Sequence, residues 1–208
     1  EGVYQALGLP WIEPELRENR GEIEAARAGR LPDLVGYDEI RGDLHVHTTW
    51  SEGAHSIEEM AEAARALGYE YIAICDHAEA LRIARGLSPE RIAEQVREIE
   101  RINRESGSGF TVLAGIECNI GPDGGLDLPD SVLADLDVVV ASVHSGLKQP
   151  EEEMTKRLIT AMHNDNVDII GHPTGRILLE REPSRIDLAA VFEAAANLGV
   201  MLEINAYP

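Results

Sequence analysis

The feature that most constrains this chain is an alternation, from Gly42 onward, of short apolar runs with longer amphipathic ones. Short apolar runs fit strands covered on both faces, and the amphipathic stretches fit the helices that cover them. The expected strands are 43–47, 69–75, 110–116, 137–143, 167–171 and 200–204. The expected helices are 56–67, 88–106, 151–163 and 187–198. Helix starts are marked by Ser56 with Glu59 three residues on, and by Ser88 followed by Pro89. Gly68 and Gly199 mark two of the ends. Strands alternating with helices argue for a parallel α/β sheet. The chain has no Gly-x-Gly-x-x-Gly fingerprint. The pattern therefore favours a TIM-like barrel over a dinucleotide-binding fold, with a doubly wound open sheet as the alternative.

Residues 1–40 read differently. Proline-containing stretches at 10–14 and 31–36 surround one short helix candidate, Glu22–Ala28. This is the pattern of a connecting segment rather than a core, so the domain is expected to occupy 41–208.

Strand side chains alternate faces, which would set Asp43, His45 and His47 on one side and Leu44 and Val46 on the other. A His-x-His pair alone is only moderately specific. Four further strands also run into polar residues that can bind metal: Asp76 and His77, Glu117, His144, and His172. In a parallel α/β barrel all strand C-termini open on one face, so these ends would converge. Imidazole and carboxylate without thiolate suit Zn²⁺, Mn²⁺ or Fe²⁺, and the set exceeds the four ligands of one zinc. Two or more adjacent metals suit phosphoester hydrolysis.

Composition sharpens this. The net charge of −20 opposes non-specific binding to nucleic acid, and a bound cation is one way to supply a positive centre for an anionic substrate. Cys75 and Cys118 lack metal-binding spacing and are expected to be reduced, buried thiols of a cytoplasmic protein. There is no signal-peptide pattern and no apolar run of about 18 residues, so no membrane association is expected. Asp43 and Asp76 are expected to accept hydrogen bonds from imidazole N–H groups. Arg176 is a candidate phosphate clamp. Arg82, Arg85 and Lys148 are weaker candidates for a DNA backbone. His55 and His163 are read as solvated, and Glu203 with Asn205 as a polar rim or a substrate contact.

The motifs Gly42-Asp-Leu-His-Val-His-Thr-Thr-Trp-Ser-Glu-Gly53, Cys75-Asp-His77, Gly115-Ile-Glu117, Ser142-Val-His-Ser145 and Gly171-His-Pro-Thr-Gly-Arg176 resemble the polymerase and histidinol phosphatase (PHP) family. The likeness covers 42–208 and is greatest to the C-terminal domain of bacterial and archaeal family X DNA polymerases. Residues 7–18 and 21–24 resemble the tail of the polymerase part and its linker. The resemblance implies a distorted (β/α)₇ barrel with two to three divalent metals, Zn, Mn or Fe. Their ligands would be His45, His47, Glu52, His77, Glu117, His144 and His172, with Glu117 bridging. It implies a metal-dependent phosphoesterase acting on DNA 3′ ends in repair: 3′–5′ exonuclease, 3′-phosphatase and abasic-site processing. Polymerase domains would be the missing partners. Two alternatives stay open, a small-molecule phosphatase of the histidinol-phosphatase type and a metal-binding module without turnover. Three departures accompany the likeness. Glu52 stands where the family usually has Asp, Ala78 replaces a common Ser, and the last family motif, Asp-x-His, would fall downstream of residue 208. The polymerase carboxylates are absent, so this chain is not expected to polymerise.

Overall fold

A computed structural model describes residues 2–78, 85–107, 109–177 and 180–205. The chain divides into two compact units, 1–40 and 41–208.

The first unit is mostly turns. Helix α1 (Gly2–Ala6) and helix α2 (Glu22–Arg27) are short, and single 3₁₀ turns lie at Pro14–Leu16 and Tyr37–Glu39. Its organising contact is Arg17. The guanidinium stacks 4.6 Å from the Trp11 ring centre and 5.1 Å from that of Tyr4, and it also donates twice to the Ile12 carbonyl.

The second unit alternates strand and helix: β1 (Gly42–Val46), α3 (Ile57–Ala66), β2 (Tyr71–Ile74), α4 (Pro89–Ser106), β3 (Thr111–Asn119), α5 (Asp130–Leu133), β4 (Val138–Ser142), α6 (Glu151–Met162), β5 (Ile169–Ile170), α7 (Leu188–Leu198) and β6 (Met201–Leu202). All six strands are parallel, each pairs with the next in sequence, and the sheet curls into a half-barrel. The expected caps are present: Ser56 and Glu59 bond reciprocally at the start of α3, Ser88 caps α4, and left-handed Gly199 ends α7. Asp187, expected inside α7, is its N-cap and accepts from the backbone N–H of Ala190. Helix α5 has no counterpart in the sequence reading. At four residues it is too short to display a helical period.

Two apolar clusters lie between the sheet and its helices. One joins Ile57 and Ala61 of α3 and Ile99 of α4 to Ile72, Ile74 and Val112. The other joins Met154 and Leu158 of α6 and Val191 of α7 to Ile116, Val139 and Ile170. A third cluster, Ala73, Cys75, Val138, Val140 and Ile169 with Leu44 and Leu113, contains no helix residue and lines the concave face. The consecutive valines 138–140 thus divide between both faces, as a doubly covered strand requires.

Strand β1 departs from the simple alternation expected for it. Its pairing with β2 shifts register between Asp43 and Val46, which places one extra residue in β1. Asp43 is exposed and accepts a 2.9 Å bond from the backbone N–H of His45, while Leu44 joins the concave cluster. Beyond the irregularity the alternation resumes, with Val46 against the helices. Asp43 therefore does not share a face with His45 and His47.

Candidate metal centre

The concave face ends, at the C-terminal rim of the sheet, in a ring of imidazoles around one carboxylate. Glu117, near the end of β3, is buried to 1% exposure. Its Oε2 lies 2.8 Å from His77 Nδ1, 3.4 Å from His45 Nε2 and 3.6 Å from His47 Nε2. Its Oε1 lies 3.0 Å from His172 Nε2 and 3.2 Å from His144 Nε2. Glu52, from the turn after β1, places Oε1 2.9 Å from His77 Nε2 and 3.4 Å from His47 Nδ1. The longer glutamate side chain therefore reaches the cluster. Neighbouring ring centres are 4.5–6.1 Å apart around the circuit His45, His47, His77, His144, His172.

Backbone placement explains the convergence. Glu117 N donates to Asp76 O and Ala78 N donates to Glu117 O, extending the sheet to bring His77 beside Glu117. His172 follows Gly171, where a Cβ would stand 2.3 Å from Ser142 Oγ and 2.8 Å from Val140 Cγ1. Only glycine lets β5 lie that close to β4. His172 itself takes a positive φ of 29°.

The donor set fits metal ions. His45 Nε2, His47 Nδ1 and His77 Nδ1 are buried and make no hydrogen bond, although carboxylate oxygens lie at 2.8–3.4 Å. The distances are short but the geometry does not meet that of a hydrogen bond, so these ring nitrogens are left available as metal ligands. Three overlapping groups each have their ligand atoms within 4.8 Å: His45, His47 and Glu117; His47, Glu52 and His77; and His77, Glu117 and His144. Neither thiol joins them. Cys75 donates to the Leu44 carbonyl and Cys118 packs into the cluster beneath α6 and α7.

Without metal, the cluster holds protons unevenly. Burial disfavours charge on both sides, but the surrounding imidazoles of His144, His172, His45 and His77 hold the Glu117 carboxyl far below the usual carboxylate range. Burial also opposes a charged His45, yet Glu117 and Glu203 outweigh it and push its pKa up to about 10. Burial, with the neighbouring His77 and His45, pulls His47 down. A folded value above the ordinary 6.5 means that this part of the stability is full below pH 6.5 and is lost as pH rises through about 10. Metal-stripped wild-type protein should therefore exceed His45→Gln in melting temperature at pH 6, with the difference shrinking by pH 10.5. Scanning calorimetry in chelator checks this; a constant difference would refute it.

The sequence pattern that defines the PHP domain matches residues 43–206. The chain belongs to the PHP domain family. PHP domains are metal-dependent phosphoesterases. The chain is 47% identical over 205 residues to DNA polymerase/3′-5′ exonuclease PolX of Bacillus subtilis, covering 99% of this chain and 35% of that protein. It is 37% identical over 169 residues to a probable phosphatase of Caldanaerobacter subterraneus, covering 78% of this chain and 61% of that one. The chain thus spans about one third to under two thirds of these relatives' lengths. Histidinol phosphate phosphatase from Lactococcus lactis, solved with zinc, L-histidinol and phosphate, superposes with a TM-score of 0.55 at 20% identity, covering 79% of this chain and 73% of that one, and shares the fold.

Within this PHP domain the acceptors expected to orient imidazoles are differently employed. Asp43 bonds a backbone N–H, as described. Asp76 is fully buried and accepts from Thr48 N and Oγ1, Ser51 Oγ and Gln95 Nε2, none of them an imidazole. It anchors the turn that carries Glu52. The imidazoles are oriented instead by Glu203, 2.8 Å from His45 Nδ1, and by Asn119, 2.6 Å from His144 Nδ1. Glu203 also accepts from the backbone of His172. These two partners lie 158 and 25 residues from the histidines they hold, so no local motif marks them. Asn119 does sit two positions after Glu117 in the same strand, on the same face, which was a usable clue.

The basic candidates scatter. Arg176 is half-buried, its backbone N–H directed at Thr174 Oγ1. Arg85 donates to the Ser51 carbonyl, Lys148 is exposed, and Arg82 lies outside the described residues. His55 pairs with Glu59 on the surface, and exposed His163 meets the Ile159 carbonyl at the end of α6. Among the described residues no helix is long and apolar enough to cross a membrane.

Proposed function

We propose that this PHP domain hydrolyses phosphoesters at DNA 3′ ends, as a 3′–5′ exonuclease and 3′-phosphatase with abasic-site processing, within a family X DNA polymerase. The observation that carries this reading is the extent of the likeness to PolX. It takes in 99% of the chain, whereas the PHP pattern begins at residue 43, so it runs through residues that precede the PHP domain.

Two to three divalent cations, Zn²⁺, Mn²⁺ or Fe²⁺, would supply Lewis acidity toward phosphate and make water a nucleophile near neutral pH. His45, His47, Glu52, His77, Glu117, His144 and His172 would hold them. Glu117 belongs to two of the three groups, so it would serve neighbouring ions. Glu203 and Asn119 fix the rings of His45 and His144. Arg176 would pair with a phosphate oxygen at the rim. A chain of net charge −20 repels DNA over most of its surface, which concentrates binding at such a cationic mouth.

A second reading, a small-molecule phosphatase, is supported by the probable phosphatases at 35–37% identity and by the same acidic surface. Mn²⁺-loaded protein should release nucleotides from a DNA 3′ end and phosphate from a 3′-phosphorylated strand. His144→Ala should lower both by more than about 100-fold, since altering only a ligand's hydrogen-bond partner already costs 10–100-fold. A higher kcat/KM on histidinol phosphate than on either DNA would favour the second reading. Metal uptake with no turnover on any of them would refute both.

A further inference from the structure

Helix α6 carries Arg157, one of the largest fully buried side chains of the protein, at 2% exposure. Its hydrogen bonds go to neutral acceptors. Nη1 donates to the Ser145 carbonyl at 2.9 Å and to Gln149 Oε1 at 2.8 Å, and Nη2 donates to the Ile120 carbonyl. Asp123 acts on it only through space. Nε is buried without a partner, so the fork is placed by its two ends at a cost to its middle.

The two carbonyls have a specific place. Ser145 follows His144, and Ile120 follows Asn119, the residue 2.6 Å from His144 Nδ1. Strands β3 and β4 pair up to Asn119 with Ser142, and one further bond joins Ile120 N to Ser142 O. Beyond that point the two segments leave the sheet and no ladder pairs them. The guanidinium bridges them there. A methionine would fill the same space without the desolvation cost of a buried cation. It could not bind two carbonyls on two separate segments, and neither could the single ammonium of lysine with the same fixed geometry. Asn119 is held on its other side by Asp127, which accepts from its backbone and its side-chain amide.

We propose that Arg157 is a positioning residue for His144: by tying the Ile120 and Ser145 carbonyls together it fixes the Asn119–His144 hydrogen bond and so aims His144 Nε2 at the metal centre. Its effect on metal rests on the reading of the cluster as a metal site, whereas its effect on the imidazole does not.

The test compares the wild-type chain with Arg157→Met, Arg157→Lys and Leu158→Ala, the last a buried neighbour on α6 that packs in the apolar cluster. All are studied at a temperature where circular dichroism shows them folded. Two quantities are read: Zn²⁺ affinity by chelator competition, and the His144 ring ¹⁵N resonances in metal-free protein. Arg157→Met should weaken the tightest Zn²⁺ binding by about 10- to 100-fold, the effect typical of losing support behind a ligand, with Arg157→Lys between it and wild type. Both should shift the Nδ1 resonance of His144, and Leu158→Ala should leave both readouts near wild type however much it lowers the melting temperature. If Arg157→Met does not fold, Arg157→Lys carries the comparison. Equal behaviour of the arginine variants and Leu158→Ala would reduce Arg157 to ordinary packing and overturn the proposal. Failure of wild-type protein to bind Zn²⁺ would refute the metal reading, and the His144 resonances would then still decide the role of Arg157.

Discussion

Glu117→Gln is expected to remove the metal centre as a unit. The substitution keeps the volume of a buried side chain and deletes the one anion that five imidazoles share. Two of the three candidate ligand groups contain Glu117, so both fail together, and the third retains only His47, His77 and half-exposed Glu52. Metal affinity and phosphoester turnover should each fall by well over about 100-fold, beyond what loss of a supporting hydrogen bond produces. Metal-free stability should fall as well, by about 3 kcal/mol, because a buried cationic His45 loses a partner. The stability loss should be smaller than this where His45 can shed its proton, at the alkaline end. Elemental analysis and calorimetry on the same sample check both parts. Full metal content in Glu117→Gln would sink the assignment.

Asp76→Ala should act on one edge of the same site through the chain rather than through a ligand. The carboxylate collects bonds from Thr48, Ser51 and Gln95 in a fully buried pocket, and Arg91 adds a 2.9 Å bond to the Trp50 carbonyl in the same turn. Its removal strands several donors away from water, at a cost of about 3 kcal/mol or more. The turn that delivers Glu52 should loosen, so metal held through Glu52 should be lost before metal held through Glu117. Urea denaturation gives the stability change, and metal content per chain gives the second effect. An unchanged urea midpoint would show that the buried network does not hold the turn.

The contrast between these two carboxylates shows where sequence reasoning carried and where it stopped. Glu117 and the histidines are legible because each lies near or just past the C-terminal end of a strand, and a parallel sheet sends all such ends to one rim. The helix starts at Ser56 and Ser88 are legible because caps act over three residues. The partners of Asp76 are not, since Gln95 arrives from the middle of α4 and its approach depends on how that helix packs. Glu203 is equally opaque, for its service to His45 requires strands from opposite edges of the sheet to curl toward each other. Strand β1 misleads for a different reason. An alternation rule assumes an unbroken ladder, and one extra residue between Asp43 and Val46 turns Asp43 outward and Leu44 inward.

The sequential strand order has a consequence for biosynthesis. Because every strand pairs with its immediate successor, the sheet can grow in the order in which the ribosome delivers it, without waiting for a distant partner. The site cannot follow that schedule. His45 meets Glu203 only after 158 further residues have been made, roughly 10 to 30 s at ordinary elongation rates. During that interval the nascent chain carries imidazoles that Glu203 has yet to support. Assembly of the complete site is therefore a late event in synthesis, fixed by the last strand rather than by the first.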